Sequence, residues 1–166
     1  TRKRKAPVRH KDDRYVEIAD RVCERGWFGQ KTSKGYYLYG EGVEFLTPNP
    51  EIEVICNDER KRVGITPKDF SDKEILDRYI AAMVYEGTKI LQEKIAVRPS
   101  DIDVVYTNGY GFPKWRGGPM KYADMIGLDK VLANIQKFYQ EDKRFWSPPE
   151  LLQELVNNGK NFDSLN

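Results

Sequence analysis

Apolar residues recur at helical spacing in several separate stretches of this chain, and the longest lies at about residues 72–94. There a continuous apolar stripe follows a capping box made by Ser71 and Glu74. At 1.5 Å per residue, this helix would be roughly 33 Å long, the width of a small domain. Shorter helices are predicted at residues 14–25, 51–62, 119–126 and 129–142, and after Pro148 and Pro149. No stretch sustains a period of two, so the pattern predicts an all-α fold.

Two stretches rich in glycine and aromatic residues interrupt the helical pattern. Residues 27–39 are predicted to be extended or looped, with a short hairpin conceivable across 40–42. In residues 101–120, the glycines permit backbone angles that other residues avoid, and two prolines each fix one dihedral. We expect a short helix or turn at Pro99, followed by a shaped loop that its aromatic side chains hold in place.

The composition is that of a soluble globular protein, since 39% of the 166 residues are hydrophobic and 33% are charged. A formal net charge of +2 is too small to imply a nucleic-acid partner. No apolar run approaches the roughly 20 residues of a membrane-spanning helix, so no membrane partner is predicted. Cys23 and Cys56 lack metal-ligand spacing, and we interpret them as thiols in a reducing compartment.

The first 13 residues form a basic arm that could bind nucleic acid or acidic lipid. The arm has no interleaved aromatic residues and no groove-reading motif, so a solvated terminus is the favoured interpretation. The chain's one histidine, His10, lies in this arm beside Lys11. A general base needs a partner and a pocket, and we therefore interpret His10 as an exposed side chain.

The nearest match to a dinucleotide-binding motif is the segment Gly109–Lys114. Here Lys114 replaces the third glycine of G-x-G-x-x-G, Pro113 interrupts the motif, and no βαβ pattern surrounds it. The sequence therefore predicts no cofactor bound by this chain.

Carboxylates are plentiful, but none is paired in sequence with a base or a nucleophile. Asp101 is best explained as a cap on its local turn, whereas Asp103, Asp124 and Glu86 have no assigned role. The serines carry no nucleophile-elbow signature. We therefore predict no catalytic residue and no metal ligand.

The glycine pair in Arg116-Gly117-Gly118 allows two interpretations. At a helix start, its backbone N–H groups could bind an anion. More often such a pair lets neighbouring backbone pack closely, which is the favoured alternative.

Taken in order, the motifs of this chain resemble those of the 3-hydroxyacyl-CoA dehydrogenases of multifunctional fatty-acid oxidation enzymes. The motifs are residues 15–23, 28–32 and 34–37, then Glu86-Gly87, Ile90-Leu91, Ile95-Ala96, Arg98, residues 100–103, 109–113 and 116–120, and Tyr122-Ala123-Asp124. The resemblance implies an all-α helical C-terminal domain of the 6-phosphogluconate-dehydrogenase-like type with an irregular N-terminal segment. It divides the chain into the tail end of a first helical domain (1–45), a linker with a short helix (46–70) and a second helical domain (71–166).

The resemblance also implies which chemistry lies elsewhere. The family oxidises the 3-hydroxyl of an acyl-CoA by hydride transfer to NAD. Its glycine motif, its catalytic His–Glu pair and its substrate-contacting asparagine have no counterpart in this chain. Where the family commonly has asparagine before Glu-Gly, this chain has Tyr85. We therefore expect a chain that is inactive alone, with NAD bound only in the parent enzyme.

The partners implied are the Rossmann and first helical domains of the parent, and the acyl-CoA that the parent binds. Trp27, Phe28, Tyr110 and Trp115 are candidate interface anchors, with ordinary core packing as an equal alternative. The fragment could also form a homodimer. The compartment implied is the cytoplasm for a bacterial source, or the peroxisome or mitochondrion for a eukaryotic one. The alternative functions are a free-standing helical interaction or dimerisation module, and a nucleic-acid-binding helical domain.

Overall fold

The computed structural model describes residues 15–166. The basic arm and His10 lie outside this range, so their interpretations stay predictions. The chain divides into two compact units, Thr1–Lys68 and Asp69–Asn166. Across the described residues, all continuous secondary structure is helical, which confirms the predicted all-α fold. None of these helices combines the length and the hydrophobicity needed to cross a bilayer.

The first unit contains α1 (Ile18–Glu24), a 3-10 helix (Gln30–Thr32) and α2 (Glu51–Val63). The helix predicted at residues 14–25 is shorter than expected, and α2 lies where the sequence placed it. Val22 of α1 and Ile55 of α2 are buried, and the two helices pack against each other.

A tight loop follows α1, as the glycines in residues 27–39 suggested. The backbone of Gly29 and Lys34 pairs in both directions, at 2.9 and 3.2 Å. A Cβ added to Gly35 would lie 2.9 Å from the Cα of Gly29, so this backbone contact depends on glycine. The conceivable hairpin across 40–42 is reduced to isolated bridges, such as Tyr37 with Pro48.

A buried carboxylate joins α2 to the start of α1. Glu59 is 2% exposed and accepts two hydrogen bonds from the Arg62 guanidinium, both at 2.7 Å, and one from the Glu17 amide at 2.9 Å. Arg21 lies 3.5 Å from the same carboxylate. These hydrogen bonds, with the one from Arg62 largest, lower the pKa of Glu59 to about 2. No motif in the sequence indicates this cluster.

Acid should therefore weaken the first unit through Glu59. The Glu59 carboxylate has a pKa of about 2 in the folded chain and its ordinary value of 4.5 in the unfolded chain, so acid protonates the unfolded chain first. The stability that Glu59 contributes is therefore present above pH 4.5 and is lost as the pH falls towards 2. In Glu59→Gln, the free energy of unfolding of this unit should change less between those two pH values. Residue-resolved NMR can follow the unfolding of the first unit separately. Glu53→Gln, at an exposed position of the same helix, is the matched control and should leave the acid limb unchanged. If Glu59→Gln and the unsubstituted chain lost the same stability between pH 4.5 and pH 2, the acid sensitivity could not be assigned to Glu59.

The second unit holds five α-helices around one core. They are α3 (Asp72–Gln92), α4 (Pro99–Gly109), α5 (Pro119–Ile126), α6 (Leu128–Tyr139) and α7 (Glu150–Asn157), with 3-10 helices at Lys114–Arg116 and Phe162–Leu165. The predicted capping box opens α3: the Ser71 hydroxyl accepts from the Glu74 amide, and the Glu74 carboxylate accepts from the Ser71 amide at 3.0 Å. Helix α3 packs against α4, α5, α6 and α7 and is the central element of the unit.

Helix α4 begins where a short helix or turn was predicted, at Pro99, but it is longer than that prediction. Its 11 residues include Asp101 to Gly109, which the sequence had assigned to the shaped loop. The helix forms because the Asp101 carboxylate accepts from the Arg98 amide at its start, Pro99 occupies the first turn, and Ile102 is buried in the core. The dense glycine and aromatic residues begin to shape the backbone only after the helix ends.

Candidate functional site

Helices α3 and α5 approach each other closely at Gly87. A Cβ added there would lie 2.6 Å from the Sδ atom of Met120 and 3.7 Å from the Cδ1 atom of Ile102. Met120 is fully buried, so it has little room to move away. In the Glu86-Gly87 motif, close helix packing therefore requires the glycine, whereas the Glu86 side chain is exposed on α3.

The carboxylate of Asp103 caps the start of α5. It is 8% exposed, and its two oxygens accept hydrogen bonds from the Met120 amide at 2.7 Å and the Lys121 amide at 3.0 Å. Burial raises the pKa of Asp103, and the two amide hydrogen bonds act in the opposite direction. Gly118 has a φ of 116°, and a Cβ added there would overlap the Asp103 side chain. The geometry at this turn is therefore close packing, and the two amides that an anion would need are already bonded.

Asp124 holds the C-terminal segment in a similar way. Its two oxygens accept hydrogen bonds from the amides of Phe162 and Asp163, both at 2.9 Å. Lys121 forms an ion pair with Asp163, and the Phe162 side chain is only 1% exposed. Burial raises the pKa of Asp124, although both amide hydrogen bonds lower it. Asp103 and Asp124 thus stabilise the fold by accepting hydrogen bonds from backbone amides, a role that the sequence did not reveal.

The remaining candidate carboxylate, Asp101, has the capping role predicted for it. It accepts from the Arg98 guanidinium at 2.7 Å and from the Arg98 amide at 3.2 Å. The side-chain hydrogen bond from Arg98 lowers the pKa of Asp101. Between Tyr15 and Asn166, no three histidine, cysteine, aspartate or glutamate side chains come together in a way that could hold a metal ion.

The Gly109–Lys114 segment does not fit a dinucleotide. A pyrophosphate site needs a strand, a glycine loop and then a helix N-terminus. Here Gly109 ends α4, Phe112 is buried in the core, and Lys114 begins a 3-10 helix of three residues. The segment therefore lacks the strand, glycine loop and helix N-terminus that hold a pyrophosphate.

An aromatic groove of about 300 Å³ lies between the first half of α3 and the loop after α4. Its lining is mostly aromatic and aliphatic, and consists of Leu76, Tyr79, Ile80, Tyr106, Tyr110, Gly111, Phe112, Pro113, Trp115 and Arg116. Tyr79 is 61% exposed, and Tyr110 and Trp115 are each 76% exposed. Exposed aromatic side chains grouped in this way are typical of a protein–protein contact surface.

Ring contacts hold one wall of the aromatic groove in place. The Arg116 guanidinium lies 4.4 Å from the ring centres of both Trp115 and Tyr122. Tyr106 and Tyr110 are 5.5 Å apart between ring centres. Because these contacts form within the second unit itself, the groove is shaped before anything docks on it.

The other two candidate anchors lie in the first unit. Trp27 is half-buried, with the Lys34 ammonium 4.3 Å from its ring centre. Phe28 is 58% exposed. Of the four aromatic residues singled out from the sequence, Tyr110 and Trp115 are thus brought together, whereas Trp27 and Phe28 belong to the other unit.

Tyr85, at the position where asparagine was expected, is a core residue. It is 4% exposed and lies 5.7 Å from Phe145 and 5.8 Å from Trp146 between ring centres. The larger side chain is therefore accommodated by an aromatic cluster next to α7.

Comparison with known families identifies the second unit. The family model described as "3-hydroxyacyl-CoA dehydrogenase, C-terminal domain" matches residues 75–163, more than half of the chain. The chain belongs to the 3-hydroxyacyl-CoA dehydrogenase family. The helices and loops within residues 75–163 are thus this family's C-terminal fold, which confirms the family resemblance expected from the motifs.

Several curated members of the 3-hydroxyacyl-CoA dehydrogenase family match nearly the whole chain. The peroxisomal bifunctional enzyme of Danio rerio is 43% identical over 156 residues, and that of Homo sapiens is 40% identical over 157; each match covers 92% of this chain. The fatty acid oxidation complex subunit alpha of Idiomarina loihiensis is 31% identical over 162 residues, or 95% of this chain. In all three, the chain spans 22% of the relative's length.

Proposed function

We propose that this chain forms the helical C-terminal part of an NAD-dependent 3-hydroxyacyl-CoA dehydrogenase of fatty-acid β-oxidation, and that its aromatic groove docks against the neighbouring helical domain of that enzyme. The observation that carries the proposal is the shaped, exposed groove around Tyr79, Tyr110 and Trp115. The chain itself supplies no catalytic residue and no cofactor-binding residue. NAD and the acyl-CoA are held by the rest of the enzyme.

The groove has the properties of a contact surface. Tyrosine and tryptophan bury much apolar area, and their polar ends can still hydrogen-bond at the rim of an interface. Leu76 is 43% exposed along the same edge of α3 and extends the apolar surface. Arg116 is the single charged residue of the lining, and its guanidinium already stacks on two rings. A neighbouring helix would therefore meet a mostly apolar surface with one positive charge, which the two rings compensate in part.

Docking here would act on catalysis indirectly. A helical domain fixed by this groove would keep its own substrate-binding surface in one position, which supports the acyl-CoA cleft. Loss of the contact should therefore reduce both assembly and turnover, although no residue of the groove touches the substrate.

The test is reconstitution. The chain alone, incubated with acetoacetyl-CoA and NADH, should consume no NADH. Co-expressed with the Rossmann and first helical domains encoded by the same gene, it should co-purify with them and restore turnover. Trp115→Asp should weaken co-purification at least about tenfold, because it buries a charge where an aromatic anchor belongs. Val104→Asp is the control, since Val104 is 59% exposed on α4 outside the groove.

The outcomes separate the alternatives. NADH consumption by the chain alone would overturn its non-catalytic role. Equal weakening by Trp115→Asp and Val104→Asp would remove the groove from the contact. A tight homodimer that ignores the other domains would instead favour the free-standing dimerisation module. For the compartment, we propose the peroxisome in a eukaryotic source, in line with the names of the peroxisomal relatives, and the cytoplasm in a bacterial one.

A further inference from the structure

Leu76 and Ile80 also line a second groove, of about 320 Å³, formed by α3, α5 and α6. Its apolar surface continues over Ile126 and the buried side chain of Val131. The flexible side chain of Met125 lines the edge of this second groove and is 62% exposed. The volume lies at the small end of the roughly 300–1,000 Å³ typical of ligand pockets.

Two polar side chains on α6 face this apolar groove without partners. Lys130 and Asn134 are four residues apart, so they lie on the same side of the helix, and both line the groove. Among residues 15–166, neither side chain takes part in a hydrogen bond or ion pair. The other charged residues of the lining, Lys73 and Asp77, pair with each other at 2.5 Å. The groove therefore carries one uncompensated positive charge beside an amide that can donate hydrogen bonds.

We propose that this groove binds a small anionic amphiphile, with its singly charged head on Lys130 and Asn134 and its alkyl chain on Leu76, Met125 and Ile126. The ammonium and the amide together provide several N–H donors, and a carboxylate accepts such donors on both oxygens. The alkyl chain would cover the exposed parts of Leu76 and Met125, which are 43% and 62% exposed in the free chain. The site goes beyond the proposed docking role, because it uses α5 and α6 rather than the aromatic loop.

The test uses octanoate and octyltrimethylammonium as matched probes, one anionic and one cationic, on the whole chain. Octanoate should bind saturably and shift the NMR signals of the Met125 methyl group and of Lys130. The cationic probe should not produce those shifts. Lys130→Glu should weaken octanoate binding at least about tenfold. Lys137→Glu, an exposed lysine on the same helix outside the groove, should leave binding unchanged.

A second variant addresses the apolar part of the site. Asn134→Trp should fill the groove while Lys130 remains, and it should also reduce octanoate binding. Equal binding of the two probes, equal effects of Lys130→Glu and Lys137→Glu, or signal shifts confined to other surfaces would each overturn the proposal. None of these results bears on reconstitution with the other domains, so the docking proposal stands or falls separately.

Discussion

Gly118→Ala should be the most damaging single methyl group that can be added to the second unit. The new Cβ would overlap the Asp103 side chain, and the φ of 116° is itself unfavourable for any residue with a Cβ. If Asp103 moves away, the Met120 amide loses its acceptor in a buried place, at about 1–3 kcal/mol, and the partly buried Lys121 amide loses its acceptor at a smaller cost. We expect the free energy of unfolding to fall by more than about 3 kcal/mol, measured by urea unfolding with far-ultraviolet circular dichroism.

Gly111→Ala is the matched control for this prediction. Gly111 also has a positive φ, 71°, but a Cβ added there meets nothing within 4 Å. Its replacement should cost only the backbone term of about 1–2 kcal/mol. If the two substitutions were equally damaging, backbone conformation alone would explain both, and the contact with Asp103 would lose its assigned importance.

Phe162→Ala should be comparably severe. Phe162 is the largest of the fully buried side chains and belongs to the single core of the second unit. Removing its ring leaves a cavity that the surrounding helices can fill only in part, and Phe→Ala changes of this kind cost about 3–5 kcal/mol. The midpoint of urea unfolding for the second unit should fall accordingly, without a change in slope.

The control for Phe162 lies in the same 3-10 helix. Leu165 is 36% exposed, and Leu165→Ala should cost less than about 1 kcal/mol. Comparable losses for both variants would show that the segment as a whole, rather than the Phe162 ring, stabilises the unit.

Helix α3 shows where local signals suffice. Its start is marked by Ser71 and Glu74 within one turn, so the sequence predicts its position. The continuous apolar stripe predicts its buried side from Ile80 onward, whereas Leu76 and Tyr79 of the same stripe are exposed. Helix α4 shows where they do not. Its propensity signals are weakened by the glycines and aromatic residues that follow, and its stability depends on Ile102 and Asp103, whose partners lie elsewhere in the chain.

The candidate site was predictable in the same uneven way. The sequence pointed to Tyr110 and Trp115, and to close packing as the favoured role of the glycine pair. The sequence could not show whether the rings of Tyr110 and Trp115 are buried. Phe112 lies between them in the same glycine-rich and aromatic stretch, yet it is buried in the core. The contact of Asp103 with α5, and the unpartnered state of Lys130, depend on neighbours brought together by folding.

The packing of residues 162–166 against the second unit affects when this unit can complete its folding during synthesis. Asp124 bonds to the amides of Phe162 and Asp163, and the Asn166 side chain accepts from the Ser100 amide at 3.0 Å. Since domains fold as units while the ribosome extends the chain, the core of the second unit stays open until residues 162–166 have left the exit tunnel. Until then the place that Phe162 fills stays open, and the apolar side chains around it remain exposed to water.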